Sequence, residues 1–144
     1  AQDGPFSSFP GIDRTLAIIE GNGLALAISG HEPVALTTKS TPLPFAADVR
    51  VDATLMDGAI VDLNVMTRRS SLAHSVQRLS GSCSMQPATV TRLILALDPL
   101  TVAVNNDTAR LKKLDSVFIT ESVPFTIDAD HGEGIFFLIT LQDI

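Results

Sequence analysis

The side chains best suited to chemistry in this chain lie close together in the stretch DLNVMTRR, residues 62–69. Asp62 carries a carboxylate, Asn64 an amide, and Arg68 and Arg69 carry guanidinium groups. A guanidinium is suited to bidentate binding of a carboxylate, whereas an amide or carboxylate oxygen can accept an N–H group. A carboxylate can also act as a general base. The combination predicts a site for a small polar molecule that carries an acid group.

The loop before the first predicted strand, GPFSSFPGIDR at residues 4–14, supplies further candidates. The Arg14 guanidinium is suited to a carboxylate ligand, and equally to pairing with Asp13 or Asp62. Phenylalanines in such a loop are typical core residues, whereas its hydroxyl and N–H groups can bind an anion. For Asp62 and Asn64, a structural hydrogen-bond network and a solvent-exposed face stay open as alternatives to lining a pocket. The predicted ligand-binding residues are Phe6, Ser7, Arg14, Asp62, Asn64 and Arg68.

The sequence lacks the patterns of metal and nucleophile sites. Its three histidines, His31, His74 and His131, are isolated, and no pair has the spacing of metal ligands. No nucleophile elbow or Gly-rich phosphate loop is present. We therefore predict no metal, no cofactor and no catalytic residue.

Composition and charge exclude several classes of protein. The chain has 144 residues, enough for one ordinary domain, and 45% of them are hydrophobic. Its net charge is −6 and no basic cluster is longer than two residues, which argues against nucleic acid as a partner. The apolar run at residues 135–139 is far shorter than the ~20 residues of a membrane helix. One cysteine, Cys83, fits a reducing compartment and predicts a cytoplasmic location without a membrane partner.

Strand patterns dominate the chain. The stretch TLAIIEGNGLALAI, residues 15–28, predicts a hairpin with its turn at Glu-Gly-Asn-Gly, and similar turns are predicted at Asp98-Pro99 and at residues 105–107. Short strands with closely spaced turns indicate a sandwich or a barrel. Period-two alternation places two sets of residues on opposite faces of the strand that follows residue 60. One set is Asp62, Asn64 and Met66, and the other is Leu63, Val65 and Thr67.

The two halves of the chain follow a similar order of strands and turns. Residues 15–65 and residues 92–141 align at an offset of about 75 residues, which indicates duplication of a unit of roughly 50–60 residues. The predicted organisation is a first half at 1–67, a serine-rich connecting segment at 68–88, and a second half at 89–144, forming one compact unit.

The motifs FSSFPGIDR and DLNVMTRR resemble those of the HutD/Ves family, a group of bacterial proteins linked to histidine utilisation. The resemblance is densest over residues 4–69. Over residues 90–144 it is a similarity of sequence pattern only. It implies an all-β, cupin-type (RmlC-like) β-barrel in a duplicated two-cupin arrangement. Family members usually carry an upstream Trp-Lys-Asn-Gly-Gly segment, and this chain opens at AQDGPF without methionine. We therefore expect it to lack an N-terminal segment.

The resemblance also implies a function. We expect a metal-free cupin that binds a small acidic metabolite such as N-formylglutamate and has a regulatory role in histidine utilisation. The alternatives are an uncharacterised metal-independent enzyme acting on a small carboxylate substrate, with Asp62 as the base, and a protein-interaction module. Sheet edges exposed by a missing N-terminal segment would favour a homodimer.

Overall fold

Short apolar runs separated by glycine, proline and asparagine produce strands throughout residues 2–144, the part of the chain that the computed structural model describes. These residues form fifteen strands and no helix, so the all-β prediction is confirmed. In particular, this part of the chain contains no helix long and apolar enough to cross a membrane. The chain divides into two units, one formed by residues 2–73 with Ile144 and the other by residues 74–143.

The strands of the first unit are β1 (Gly4–Pro5), β2 (Ile12–Glu20), β3 (Leu24–Ile28), β4 (Val34–Leu36), β5 (Leu43–Ala46), β6 (Val51–Leu55) and β7 (Val61–Arg68). They form two antiparallel sheets with the orders β5-β2-β7 and β1-β6-β3-β4. Its core is made by apolar side chains of both sheets, among them the fully buried Leu16 on β2 and Leu26 on β3. Burying these side chains is the main source of stability for a unit of this size.

The strands of the second unit are β8 (Leu72–Leu79), of which residues 74–79 belong to this unit, β9 (Cys83–Met85), β10 (Thr91–Ala96), β11 (Leu100–Val104), β12 (Asp107–Leu111), β13 (Ser116–Ile119), β14 (Phe125–Ala129) and β15 (Phe136–Asp143). They form two sheets with the orders β13-β10-β15-β8 and β12-β11-β14-β9. Its core includes Ile94, Leu100, Ile127 and Phe136, none of which has measurable exposure.

The two units share one strand order. Apart from β8, each strand of the second unit occupies the position of the strand numbered eight lower in the first, so that β13-β10-β15 corresponds to β5-β2-β7. In the same way β9-β14-β11-β12 corresponds to β1-β6-β3-β4. Gene duplication would produce this correspondence, and it stays a hypothesis.

The predicted hairpin at residues 15–28 is wrong. β2 pairs with β5 and β7, whereas β3 pairs with β4 and β6, so the Glu-Gly-Asn-Gly turn carries the chain from one sheet to the other. Both glycines have positive φ, +96° at Gly21 and +93° at Gly23. A Cβ at Gly21 would meet the carbonyl of Ala59, and one at Gly23 would meet the carbonyl of Leu36. The glycines therefore allow close approach of other backbone segments rather than hairpin pairing.

The other two predicted turns have different outcomes. The hairpin at Asp98-Pro99 is wrong, because β10 pairs with β13 and β15 while β11 pairs with β12 and β14. The hairpin at residues 105–107 is confirmed, because Val104 pairs with Asp107 across a two-residue turn. Asn105 has φ +54°, a conformation that asparagine tolerates better than most residues.

The segment at 68–88, predicted as a connection, contains β8 and β9. Residues of β8 alternate between half-buried and exposed up to Gln77, which is the pattern of a strand with one face covered. Its serine, alanine and histidine residues have modest strand propensity, so position in a sheet decides the structure here. The predicted boundaries at 67 and 89 stay a prediction.

Candidate ligand site

A cavity of about 490 Å³ opens in the first unit, and it brings together five of the six predicted ligand-binding residues. Its wall combines polar groups from β2 and β7 with apolar groups from β3 and β6 and with the segment that follows β1. The lining residues are Gln2, Pro5, Phe6, Ser7, Phe9, Arg14, Leu24, Ala53, Leu55, Asp62, Asn64 and Met66.

Strand β7 presents its polar residues to this cavity through period-two alternation. Asp62, Asn64 and Met66 all line the cavity, as their common face of the strand requires. β7 pairs with β2 so that Asn64 lies opposite Leu16 and Met66 lies opposite Arg14. This register places the Arg14 side chain, which points to the same face as Leu16, beside the polar side chains of β7.

A chain of hydrogen bonds connects the three polar residues. Arg14 Nε donates to Asn64 Oδ1 at 2.7 Å, and Asn64 Nδ2 donates to Asp62 Oδ2 at 2.8 Å. The Asn64 amide is thereby held in one orientation, with its oxygen toward the guanidinium and its nitrogen toward the carboxylate. The sequence left Asp13 and Asp62 open as partners of Arg14. The hydrogen bond of Arg14 is instead made to Asn64, and Asp62 acts on Arg14 through its charge.

Aromatic rings hold the guanidinium from another side. Arg14 Cζ lies 4.3 Å from the centroid of the Phe6 ring and 5.8 Å from that of Phe45, both within range of cation–π attraction. Burial lowers the pKa of Arg14, and the negative charge of Asp62 opposes this shift. Arginine remains charged under these conditions, so the cavity holds a partly desolvated cation.

The loop after β1 is tied to the body of the unit by its backbone. Phe6 N donates to Val51 O at 2.8 Å, and Phe9 N donates to Ala47 O at 2.9 Å. The Phe6 ring is half-buried under Arg14, whereas Ser7 lines the cavity from an exposed position. The loop therefore supplies both the aromatic support for the guanidinium and a hydroxyl at the cavity wall.

Arg68 lies elsewhere. It lines a separate surface groove of about 520 Å³ with Arg69 and the turn at Pro10-Gly11. Arg68 shares its face of β7 with Asn64, but it lies four positions further along the strand, a distance of about 13 Å. The structure thus does not bring Arg68 together with the other predicted site residues.

Arg69 forms a cluster of ion pairs at this groove. Its Nε lies 2.7 Å from Asp13 Oδ1, and its Nη2 lies 3.1 Å from Asp48 Oδ1. Hydrogen bonds from Arg69 and from the backbone N–H of Gly11 lower the pKa of Asp48 to about 2. Asp48 and Asp13 in turn raise the pKa of Arg69. The cluster connects β2 and the end of β7 with the turn at residue 48.

This cluster predicts a pH dependence of stability. The folded pKa of Asp48 is below its ordinary value of 3.8, so its stabilising effect is complete above that value and disappears as the pH falls toward about 2. We expect wild type to melt at a higher temperature than Asp48→Asn at pH 6, with the difference vanishing near pH 2. Thermal unfolding followed by circular dichroism at each pH measures this difference in melting temperature. A difference unchanged down to pH 2 would contradict the assignment.

Several site residues are not predicted from the sequence. Phe45 on β5 contacts Arg14 across the sheet, because Phe45 is paired with Arg14 in the β2–β5 register. Only the strand pairing reveals this contact. Met66 was open to prediction, since it shares a face with Asp62 and Asn64.

Histidine and cysteine side chains are not among the described residues that line this cavity. No three His, Cys, Asp or Glu side chains converge as a metal site anywhere in residues 2–144. His31 and His131 are exposed. Burial, and then the charge of Asp128, raise the pKa of the Cys83 thiol, which disfavours the reactive thiolate.

Comparison with known proteins places this arrangement in a family. The HutD family model matches residues 1–137. Protein Ves of Citrobacter koseri is 42% identical over 71 residues, which are 48% of this chain and 36% of the relative. The match thus spans only about a third of that relative's length.

Solved structures resemble the whole described chain. HutD from Pseudomonas fluorescens SBW25 superposes with a TM-score of 0.83 at 24% identity, covering 99% of this chain and 74% of that one. A conserved protein of unknown function from Pseudomonas aeruginosa PAO1 superposes with a TM-score of 0.86 at 23% identity, covering 99% of this chain and 78% of that one. A Cupin 2 conserved barrel domain protein from Leptotrichia buccalis superposes with a TM-score of 0.58 at 14% identity, covering 100% of this chain and 80% of that one. These likenesses confirm the predicted cupin-type fold.

Proposed function

Because the chain belongs to the HutD family, we propose that it binds a small acidic metabolite such as N-formylglutamate in the cavity of its first unit. The binding requires no metal, and the protein has a regulatory role in histidine utilisation in the bacterial cytoplasm. The observation that carries the binding proposal is the hydrogen-bonded chain from Arg14 through Asn64 to Asp62 in the cavity wall. The regulatory role rests on family membership.

Arg14 is assigned to the carboxylate of the ligand. Its Nε donates to Asn64, so the terminal nitrogens of the guanidinium are the donors assigned to the ligand. The Phe6 ring at 4.3 Å fixes the plane of the guanidinium before the ligand arrives. Partial burial weakens competition from water, which strengthens a charge-assisted hydrogen bond.

Asn64 and Asp62 are assigned to the N–H side of the ligand. The Asp62 carboxylate accepts hydrogen bonds only, so it favours an amide or amine over a second acid group. Among the described residues that line the cavity, Arg14 supplies the one positive charge. A dicarboxylate therefore binds through one carboxylate, with the other directed away from Asp62 and toward solvent.

The dimensions of the cavity agree with such a ligand. Its volume of about 490 Å³ lies within the usual range for small-molecule sites. The apolar wall from Leu24, Ala53 and Leu55 suits the methylene groups of a short acid. Asn64 is exposed, so the ligand enters from solvent without displacing a strand.

Calorimetric titration tests this function. The protein is titrated with N-formylglutamate, urocanate and glutamate, and we expect saturable binding of one of these acids at one site. N-formylglutamine keeps one carboxylate and should bind within about threefold of N-formylglutamate, whereas the uncharged diamide should lose at least about tenfold. Equal binding of the diamide, or no saturable heat from any acid, would overturn the proposal.

A further inference from the structure

We propose a second anion site, in the second unit, where the Nε and Nη2 edge of Arg92 binds the carboxylate of a small monoacid such as formate or acetate. This site is separate from the cavity of the first unit and does not depend on the function proposed for it. Arg92 lies on β10, the strand that corresponds to β2 in the shared strand order.

Arg92 occupies the position of Arg14. Arg14 precedes the fully buried Leu16 by two residues on β2, and Arg92 precedes the fully buried Ile94 by two residues on β10. Each arginine therefore points to the core-facing side of its strand. Each also lies over a phenylalanine, since Arg92 Cζ is 4.6 Å from the centroid of the Phe125 ring.

The second unit lacks the acceptors that serve Arg14. Asn64 lies opposite Leu16 in the first unit, and the residue opposite Ile94 in the second unit is Leu138. In the same register, Asp62 lies opposite Ile18, whereas Phe136 lies opposite Ala96. Apolar side chains thus replace the amide and the carboxylate.

Arg92 is consequently a buried cation with unused donors. Its exposed fraction is 6%, and its hydrogen bond from Nη1 to Gln86 O measures 2.8 Å. Nε and Nη2 are both buried without a hydrogen-bond partner. A buried charge with unpaired donors is strongly unfavourable, and arginine does not relieve it by losing its proton.

The identity of the two unused atoms specifies the ligand. Nε–H and Nη2–H point in parallel from one edge of the guanidinium, the edge that binds both oxygens of a planar carboxylate. Because these atoms are closed to solvent, the ligand must be small. A monoacid with one or two carbons matches this geometry, and it compensates the buried charge.

Arginine side-chain NMR tests this site in the Arg14→Ala variant, which removes the guanidinium of the first cavity. We expect the Nε–Hε resonance of Arg92 to shift saturably with sodium formate and to stay in place with sodium chloride at equal ionic strength. The resonance is assigned by its absence in Arg92→Lys, or by through-bond correlation if that variant does not fold. A resonance unmoved by formate, or moved equally by chloride, would overturn the proposal.

Two substitutions distinguish binding by the paired N–H donors of Arg92 from attraction by its positive charge alone. In the Arg14→Ala background, Arg92→Lys keeps the positive charge and removes the paired donors, so formate affinity should fall at least about tenfold. Arg110→Lys, at an exposed position on β12 of the same unit, makes the same chemical change and should leave affinity unaltered. Formate affinity that survives Arg92→Lys places the binding elsewhere and overturns the proposal.

Discussion

Replacing Arg14 with alanine should weaken binding of N-formylglutamate by more than about 1.5 kcal/mol, which is at least tenfold in affinity. The substitution removes a charge-assisted hydrogen bond to the ligand and leaves the Asp62 charge in the cavity uncompensated. Calorimetric titration of variant and wild type at one pH and ionic strength measures the change.

Arg68→Ala is the matched control for this prediction. It removes the same charge from the same unit, but Arg68 lines the groove beside Arg69 and not the cavity. The affinity of the Arg68→Ala variant for N-formylglutamate should stay close to that of wild type. Equal losses in both variants would mean that long-range charge, and not contact with Arg14, governs binding.

Replacing Phe136 with alanine should lower the free energy of unfolding by about 3–5 kcal/mol. Phe136 has no measurable exposure and belongs to β15, which lies between β10 and β8 in its sheet. Truncating the ring leaves a cavity that a sheet-bound backbone cannot close. Urea denaturation followed by circular dichroism measures the loss.

Phe118→Ala controls for removal of an aromatic ring. Phe118 lies on the edge strand β13 and is 62% exposed, so its truncation should change stability by no more than about 0.5 kcal/mol. Comparable destabilisation by both substitutions would contradict the position of the second unit's core.

The strand pattern of β7 made much of the candidate site predictable. Period-two alternation by itself places Asp62 and Asn64 on one face of the strand, and the cavity includes both. The same alternation could not separate Arg68 from them, because it specifies the face of a strand and not the point where a cavity ends. The opening FSSF loop was predictable as a source of Phe6 and Ser7 from its composition alone.

The hairpin errors have a common physical cause. Glycine and proline at residues 20–23 and 98–99 mark a change of direction, but local sequence does not say whether the next strand pairs with the last or crosses to another sheet. The crossing at Gly21 and Gly23 depends on the carbonyls of Ala59 and Leu36, which come from distant parts of the chain.

Arg92 was not predicted as a site residue, for a related reason. Its sequence neighbours, in TRLILA, suggest an ordinary strand with one charged residue. Its significance comes from the cross-strand residues Leu138 and Phe136, which replace the polar partners found in the first unit. Only the paired registers of the two units reveal this difference.

A crystal structure of the protein saturated with N-formylglutamate tests the central claim most directly. We expect one ligand in the cavity of the first unit, with a carboxylate oxygen about 2.7–3.0 Å from a terminal nitrogen of Arg14. Its N–H group should face Asn64 or Asp62. A ligand bound in the groove beside Arg68, or a cavity left without the acid at saturating concentration, would contradict it.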